Sequence, residues 1–431
     1  MTKKNTNVIA IITMFFMFAM ISFVTNMAAP FGNIWKIKEG MEWSGMMGNM
    51  MNFLAYLFMG IPAGKMLQKI GYKKTALAAL AVGFVGMLVQ MTSSFMEVGM
   101  SALIVYLLGA FVCGFCVCML NTVVNPMLNL LGGGGNRGNQ LIQAGGTLNS
   151  LTGTATPLLA GAMIGTLTPT TALSNVRPLL LIALAVFALS FLIILFVSIP
   201  EPNLGKVKSE EKGRYSAWSF RHLVLGVVAI FFYVGVEVGI PGELNFYLSD
   251  PSAKGAGLGA GAAAVGGAIA AVYWLLMFVG RLCSTAISGK VSSKTQITVV
   301  SAVAMVFLLI AIVLPKDITM SMPSYVGGGF AMVPNVPMSA LFIVLCGLCT
   351  SLMWGGIFNL AVEGLGKYTE QASGIFMMMV VGGGVMPFIQ DAIARSIGYM
   401  ASYWLVIAML GFIFYYAIIG CKNVNKDIPV E

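Results

Sequence analysis

Residues 178–199 have the sequence PLLLIALAVFALSFLIILFVSI, and residues 200–218 continue it as PEPNLGKVKSEEKGRYSAW. The first stretch is apolar over the roughly 20 residues that an α-helix needs to cross a bilayer. The second is the only long polar stretch of the chain. Comparable apolar runs, five before this pair and six after it, predict twelve transmembrane helices in two sets of six, divided by a polar linker.

The predicted architecture is an all-α membrane protein with a six-helix bundle at 1–199, a linker at 200–218 and a second six-helix bundle at 219–431. Two interruptions rich in Gly, Pro and Ser, around 250–261 and 315–336, are predicted to be loops. The apolar runs predict helices near 8–35, 44–69, 73–95, 98–131, 139–164, 177–199, 219–249, 262–290, 293–314, 337–362, 368–395 and 399–421.

The composition excludes an ordinary soluble protein. Of 431 residues, 58% are hydrophobic and 9% are charged, whereas a soluble domain carries about 25% charged residues. The net charge of +9 does not indicate a nucleic-acid partner, because Lys and Arg occupy short segments between apolar runs. If both termini lie on one side, 18 of the 24 basic residues fall there and 6 on the other, which predicts cytoplasmic termini.

The two predicted halves resemble diverged copies of each other. The sequence CGFC at 113–116 in the fourth helix recurs as CGLC at 346–349 in the tenth, and Asn125 then corresponds to Asn359. A Gly-x-x-x-Pro match joins the fifth and eleventh helices in the same order. The paired cysteines lack the further ligands of a structural zinc site, so we interpret them as small packing residues and predict no metal and no cofactor.

Glu237 is the ionisable residue that needs an explanation. It lies near the middle of the seventh helix, in FFYVGVEVGIPGELNFYL at 231–248, where a charge costs about 2.5–3.5 kcal/mol or more. One interpretation is ion coupling in a transporter; the other is a carboxyl group that bridges two helices. Glu243, farther along the same helix, is left without an assigned role.

Amide side chains in apolar surroundings suggest a polar cavity. Amides both donate and accept hydrogen bonds, as sugar hydroxyls do, and Trp354 in the tenth helix can stack on the apolar face of a sugar. Hydrogen bonds between helices are the alternative for any single amide. The predicted substrate-binding residues are Asn26, Asn121, Asn125, Gln143, Asn149, Trp354 and Asn359.

Several stretches are similar to a known family. The segment GIPAG at 60–64 with GYKK at 71–74 resembles the loop signature of the major facilitator superfamily. NTVVNP at 121–126, the pattern from Gln143 to Ser150, and YVGVE at 233–237 resemble its fucose–galactose–glucose/proton symporter family, which includes the L-fucose permeases. The resemblance implies uptake of a monosaccharide by alternating access, with the first, fourth, seventh and tenth helices lining the site.

One departure from that family affects the coupling. The L-fucose permeases carry carboxylates in the first and fourth helices, and the matching positions here are Asn26 and Asn121. An amide keeps the hydrogen bonds of a carboxyl group but does not titrate. The hypothesis is therefore that Glu237 carries any coupling to protons or sodium ions; otherwise the protein is an uncoupled facilitator.

Three other functions are weighed against sugar uptake. A drug or metabolite exporter on the same fold is disfavoured by the run of amides, and an enzyme by the lack of a nucleophile, base or metal cluster at membrane depth. A sensor on this fold is also disfavoured, because sensors usually carry an appended signalling domain and the predicted linker at 200–218 is short. The resulting expectation is a monomeric, multi-pass protein of the bacterial inner membrane whose partners are the sugar, an ion and the lipid bilayer.

Overall fold

The computed structural model describes residues 3–36, 41, 44, 47–164, 172–201, 215–250, 254–258, 262–326 and 329–430. It is a bundle of long helices with one β-hairpin. The elements are α1 (Lys3–Lys36), α2 (Met47–Ser93), α3 (Met100–Leu131), α4 (Gly135–Ile164), α5 (Arg177–Phe196), α6 (Arg221–Ser249), α7 (Ala262–Ile287), α8 (Ser293–Val313), β1 (Thr319–Val326), β2 (Gly329–Pro337), α9 (Ser339–Thr350), α10 (Met353–Val362), α11 (Thr369–Met378), α12 (Gly382–Ile397) and α13 (Tyr399–Tyr415).

The second and third predicted helices are joined in α2. Gly71 interrupts it with φ of 81° and ψ of 179°, a conformation that glycine adopts without the steric cost of a Cβ atom. The tenth predicted helix is divided into α9 and α10, and the eleventh into α11 and α12. The fourth to ninth predicted helices correspond to α3 to α8, and the twelfth to α13.

Ten helical segments of the described residues are long and apolar enough to cross a membrane. One of the ten is α2, whose break at Gly71 divides it into two spans. The 30-residue helix α4 is also long enough, although its sequence is richer in Asn, Gln and Thr. These spans are consistent with twelve crossings. Large apolar side chains such as Phe196, Val313 and Phe388 are 83%, 77% and 72% exposed, as expected for a surface covered by lipid.

Hydrogen bonds on both sides of the linker identify the end of the bundle at which the linker lies. The Glu201 carboxylate, just before the linker, accepts hydrogen bonds from the backbone N–H groups of Tyr72 and Lys73, both at 2.8 Å. On the other side of the linker, the N–H of Ala217 donates to Oε1 of Gln371 in α11. We call this end of the bundle the linker end and the opposite end the far end. Residues 202–214 of the predicted linker lie outside the described residues, so the domain boundaries remain a prediction.

The segment around 315–336 is not the predicted loop. The strands β1 and β2 form an antiparallel hairpin at the far end, with an irregularity in the pairing between Met320 and Met322. Pro323 and Pro337 belong to these strands. Proline is tolerated there because both strands of a two-stranded hairpin are edge strands. Apolar residues partly alternate with Ser and Asn in these strands, which favours a strand, but the Gly and Pro content of the segment favoured a loop in the sequence analysis.

Glycines allow α2 and α11 to pack backbone against backbone near the linker end. A Cβ atom added at Gly60 would lie 2.5 Å from the Met378 nitrogen and 2.7 Å from the Gly374 oxygen. One added at Gly64 would lie 3.0 Å from the Gly374 Cα. Small residues of this kind permit the close helix contacts that stabilise membrane bundles by van der Waals packing.

The repeated cysteines make similar contacts in the two halves. The Cys113 thiol lies 3.9 Å from the Gly83 carbonyl on the third predicted helix, and the Cys346 thiol lies 3.9 Å from the Ala304 carbonyl on α8. Both thiols are buried and free. They act as small packing residues between neighbouring helices, and the similar contacts support the internal repeat.

Gly60→Ala is expected to lower the apparent unfolding temperature of the protein in detergent, because the added methyl group meets rigid backbone. Overpacking of this kind costs about 1–3 kcal/mol. Gly411→Ala is the matched control: this helical glycine has nothing within 4 Å of an added Cβ, so the change should be neutral or stabilising. Equal effects of the two substitutions would contradict the close α2–α11 contact.

Candidate substrate and ion site

Glu237 and Arg281 form an ion pair inside the helix bundle. Nη2 of Arg281 donates to Oε1 of Glu237 at 3.1 Å, and the two side chains are 11% and 14% exposed. The hydroxyl of Tyr233, one turn earlier on α6, donates to the same oxygen at 2.9 Å. Charged groups at bilayer depth are stabilised by such partners. Glu237 therefore bridges α6 and α7, and it is also the titratable partner of a buried cation.

Arg281 uses its other donors to bind groups of both halves. Its Nε donates to the carbonyl of Ser351 at 3.2 Å, at the break between α9 and α10. Its Nη1 donates to Oγ of Ser150 at 2.7 Å and to the carbonyl of Gly146 at 3.4 Å, both on α4. One guanidinium group thus joins α4, α6, α7 and the α9–α10 break, which its fixed fork of donors makes possible.

Arg281 is one of the 18 basic residues counted on the predicted cytoplasmic side, and the structure places it inside the bundle. Arg281 is 9% exposed and lies six residues before the end of α7 at Ile287, about 9 Å along the helix. The sequence contains the signal, because Arg281 follows an uninterrupted apolar run that begins near 262. Counting basic residues by side left its depth out of account.

A cluster of amide and aromatic side chains lies beside the ion pair. Asn121 donates to the Tyr56 hydroxyl at 2.8 Å, and Asn125 donates to the Asn121 carbonyl at 2.9 Å. The indole N–H of Trp354 on α10 donates to Oδ1 of Asn125 at 3.2 Å. Three of the predicted residues, Asn121, Asn125 and Trp354, are therefore brought together across the boundary between the halves.

Trp354 connects this amide cluster to the ion pair. Its ring contacts the ring of Tyr233 edge-on, with centroids 6.3 Å apart, and that of Phe376 at 6.2 Å. Tyr233 in turn binds Glu237. A continuous chain of contacts therefore runs from Asn125 through Trp354 and Tyr233 to Glu237. Tyr233 and Tyr56 were not among the predicted site residues.

Asn26 and Asn149 lie on the α1–α4 side of the same region. Asn26 donates to the carbonyl and the hydroxyl of Ser22, at 2.8 and 3.1 Å. Asn149 donates to the Phe18 carbonyl at 3.2 Å. Asn149 adjoins Ser150, which binds Arg281. Both amides are half-buried, and the hydrogen bonds described leave their oxygen atoms free to accept from a ligand.

Gln143 and Asn359 lie nearer the linker end, at contacts between the halves. Gln143 donates to the Leu352 carbonyl at 2.7 Å. Asn359 accepts from Asn129 of α3 at 2.7 Å and donates to the Ser293 hydroxyl at 2.9 Å. Protein groups thus occupy much of their hydrogen-bonding capacity. For these two residues the geometry favours the alternative of bonds between helices, and their substrate role stays a prediction.

The linker end of the bundle is closed. The hydrogen bonds that join described side chains of the two halves lie at the level of Arg281 or nearer that end. Besides those already given, Gln140 donates to the Thr285 carbonyl, Ser373 to the Thr122 carbonyl and the Tyr72 hydroxyl to Glu370. The close α2–α11 packing adds to this closure. The site formed by Asn121, Asn125, Trp354, Glu237 and Arg281 is thus separated from the linker end.

The model of the Major Facilitator Superfamily matches residues 8–334 of this sequence. The chain belongs to the major facilitator superfamily. The family's transporters are built from six-helix repeats with the substrate site at the interface between the repeats, and the ion pair and amide cluster also make contacts between the two predicted halves. The chain is accordingly a multi-pass membrane transporter and not an enzyme, and the predicted fold class is confirmed apart from the hairpin.

Individual relatives lie within the same superfamily. The chain is 30% identical to a glucose/galactose transporter of Brucella abortus over 86% of this chain and 84% of that protein. It is 23% identical to the L-fucose-proton symporter of Escherichia coli over 79% and 77% of the two chains. A crystal structure of a variant of the E. coli fucose:proton symporter superposes with a TM-score of 0.75 at 18% identity, covering 95% and 98%. That superposition indicates the fold.

A double-mutant cycle tests the buried ion pair of this transporter. Glu237→Gln and Arg281→Gln are each expected to lower the apparent unfolding temperature, because each leaves its partner buried and unpaired. The double variant should lose less than the sum of the two, by about 1–3 kcal/mol of coupling.

The exposed pair of Asp391 and Arg395 provides the matched control for that cycle. Arg395 is 74% exposed, and solvent-exposed pairs contribute about 0–1 kcal/mol. Substitutions in the exposed pair should have nearly additive effects on the unfolding temperature. Additive effects of the Glu237 and Arg281 substitutions would contradict the ion pair between these two residues.

Proposed function

We propose that this transporter takes up a monosaccharide by alternating access, as a symporter in which Glu237 binds the coupling ion. The observation that carries the proposal is the ion pair of Glu237 with Arg281, which adjoins the amide cluster. Arg281 of this pair also binds Ser150 of the other half. Relatives named as glucose/galactose and L-fucose-proton transporters support a hexose or fucose-like substrate.

Sugar recognition is assigned to the amides and Trp354. Asn121 and Asn125 have adjacent positions on α3, and Trp354 faces them from α10. Amides pair with hydroxyl groups in both directions, and the indole ring provides an apolar face. Asn26 and Asn149 extend this polar surface along α1 and α4, while Gln143 and Asn359 are secondary candidates because they bond to protein groups.

Ion coupling is assigned to Glu237 because the matching positions in the first and fourth helices, Asn26 and Asn121, do not titrate. Binding of a proton or a sodium ion by the carboxylate neutralises the charge that holds Nη2 of Arg281. Arg281 also binds Ser150 and Gly146 of the other half, so a change at Glu237 alters a contact between the halves. Differential contacts of this kind couple ion binding to a conformational equilibrium.

The orientation follows from the basic residues. With Arg281 removed from the count, 17 of the remaining 23 Lys and Arg residues lie on the side of the linker, which favours a cytoplasmic linker and cytoplasmic termini. The proposed location is the inner membrane of a bacterium, since the named relatives are bacterial, and the proposed working unit is a monomer.

Uptake into proteoliposomes tests the function. We expect labelled glucose, galactose or fucose to accumulate above equilibrium under an inward proton or sodium gradient, and the effective gradient identifies the ion. Equilibration that neither gradient changes would make the protein an uncoupled facilitator. If none of these sugars moves, the proposal of sugar uptake fails and an exporter on the same fold takes its place.

Glu237→Gln is expected to abolish gradient-driven accumulation while sugar exchange between the two sides of the membrane persists, because the amide cannot release a proton or neutralise a cation. The measurement is accumulation against counterflow in the same vesicles. Glu97→Gln, at an exposed position near the far end, is the matched control and should leave both unchanged. Full ion dependence in Glu237→Gln would refute the assignment.

Trp354→Leu is expected to raise the KM for sugar at least tenfold, since aromatic contacts beyond area burial and the Asn125 hydrogen bond are both lost. Trp354→Phe keeps a ring and should have a smaller effect. Trp404→Phe is the control, because Trp404 on α13 is 53% exposed. Equal KM values in all three variants would remove Trp354 from the sugar site.

A further inference from the structure

A second buried carboxyl group lies on α6, six residues beyond Glu237 toward the far end. Six residues advance an α-helix by about 9 Å and rotate the side chain to a face roughly 120° away. Glu243 therefore does not face Arg281 and the sugar site. It is 3% exposed, and its Oε1 is buried without a hydrogen-bond partner among the described residues.

Glu243 enters the interface between α6 and α12. A Cβ atom added at Gly235 would contact Met386, and one added at Gly239 would contact Oε1 of Gln390. From the first of these contacts to the second, the position advances by four residues on each helix. A further advance of four residues pairs Glu243 with Ala394. Ala394 is 2% exposed and small, so the repeat predicts that the Glu243 side chain lies beside Gln390.

Gln390 has an unpartnered oxygen of its own. It is 0% exposed, its Oε1 has no hydrogen-bond partner in the part of the chain described, and its Nε2 lies 3.5 Å from the Ser402 hydroxyl. Two buried acceptors, Oε1 of Glu243 and Oε1 of Gln390, thus lie on the facing helices α6 and α12 without a hydrogen-bond partner among the described residues. Leaving a buried acceptor unpaired costs about 1–3 kcal/mol, and more for a charged group, so an ionised Glu243 is poorly accommodated.

The charged and titratable neighbours do not supply the missing donor. On α12, Asp391 and Arg395 are paired with each other. On α13, the Tyr399 hydroxyl donates to Asp250 and the Tyr403 hydroxyl donates to the Ile240 carbonyl. Tyr247 follows Glu243 by four residues on α6, and Cys346 on α9 lies near Tyr403. Among these described contacts none reaches the Glu243 carboxyl group.

We propose that Glu243 is a proton-binding site, in which the protonated carboxyl group donates its hydrogen to Oε1 of Gln390. A proton taken from water turns one acceptor into a donor and provides both unpartnered oxygens with one hydrogen bond. A sodium or calcium ion would need about six oxygen ligands. No group of three or more His, Cys, Asp or Glu residues is placed to hold a metal ion in the described ranges.

The proton makes the packing of α6 on α12 depend on pH. While it is bound, the interface contains a neutral, hydrogen-bonded pair. When it is released, a carboxylate faces the Gln390 oxygen and the far part of α6 is destabilised against α12. The site is separate from Glu237 and from the amide cluster, so it does not rest on the proposed sugar transport.

Infrared spectra of the purified wild type and its variants, compared near neutral pH, test whether the Glu243 carboxyl group is protonated. We expect a protonated-carboxyl band that disappears in Glu243→Gln and persists in Glu97→Gln. Gln390→Leu should retain this band but move it to the higher frequency of a carboxyl group without a hydrogen bond. This third variant needs no change at Glu243. Identical bands in the wild type and Glu243→Gln would overturn the proposal.

Thermal unfolding at a series of pH values is the second test. A proton bound in the folded state and released on unfolding makes stability fall as pH rises. The wild-type unfolding temperature should therefore fall more than that of Glu243→Gln as the pH rises from about 4.5 to about 8. Parallel pH dependences would overturn the proposal. A stabilisation by sodium at constant ionic strength that Glu243→Gln abolishes would also overturn it, in favour of a cation site.

Discussion

The guanidinium group of Arg281 is the contact on which the centre of the molecule depends. A cation within a bilayer requires acceptors on all sides, and Arg281 obtains them from Glu237, Ser351, Ser150 and Gly146. These acceptors come from both halves of the chain. The relative position of α4 and α6 is thereby linked to the charge of one carboxylate, which is the physical requirement for coupling ion binding to a movement between the halves.

The closed linker end depends on a different kind of contact. Gly60, Gly64 and Gly374 bring α2 and α11 together without side chains, and amides such as Asn129 and Asn359 join the neighbouring helices. Individual hydrogen bonds of this type contribute about 0.6 kcal/mol on average. These contacts are individually weak, whereas the hydrogen bonds that cross the halves beside the ion pair come from the charged guanidinium group of Arg281.

The sequence predicts the helices well because each membrane crossing needs its own apolar run. It fails where contacts between distant segments decide the structure. The Gly and Pro content around 315–336 concealed the β1–β2 hairpin. The apolar run before Arg281 indicates that this residue is buried, but its partners Glu237 and Ser150 are known only from the structure. The amides show the same limit: Asn125 and Asn359 are equivalent by repeat, yet Asn125 binds Trp354 beside the ion pair and Asn359 binds Asn129 near the linker end.

The two glutamates of α6 illustrate how partners determine what a buried carboxyl group does. Glu237 has a cation and a tyrosine hydroxyl as donors, so its carboxylate is stabilised and its neutralisation changes contacts across the halves. Glu243 has no donor among the described residues and lies against another acceptor, so the neutral form is favoured. One helix thus presents a carboxyl group with two donors to the centre and a carboxyl group without a donor to its neighbour α12. The two groups lie on faces about 120° apart, and Pro241 and a turn of apolar side chains separate them.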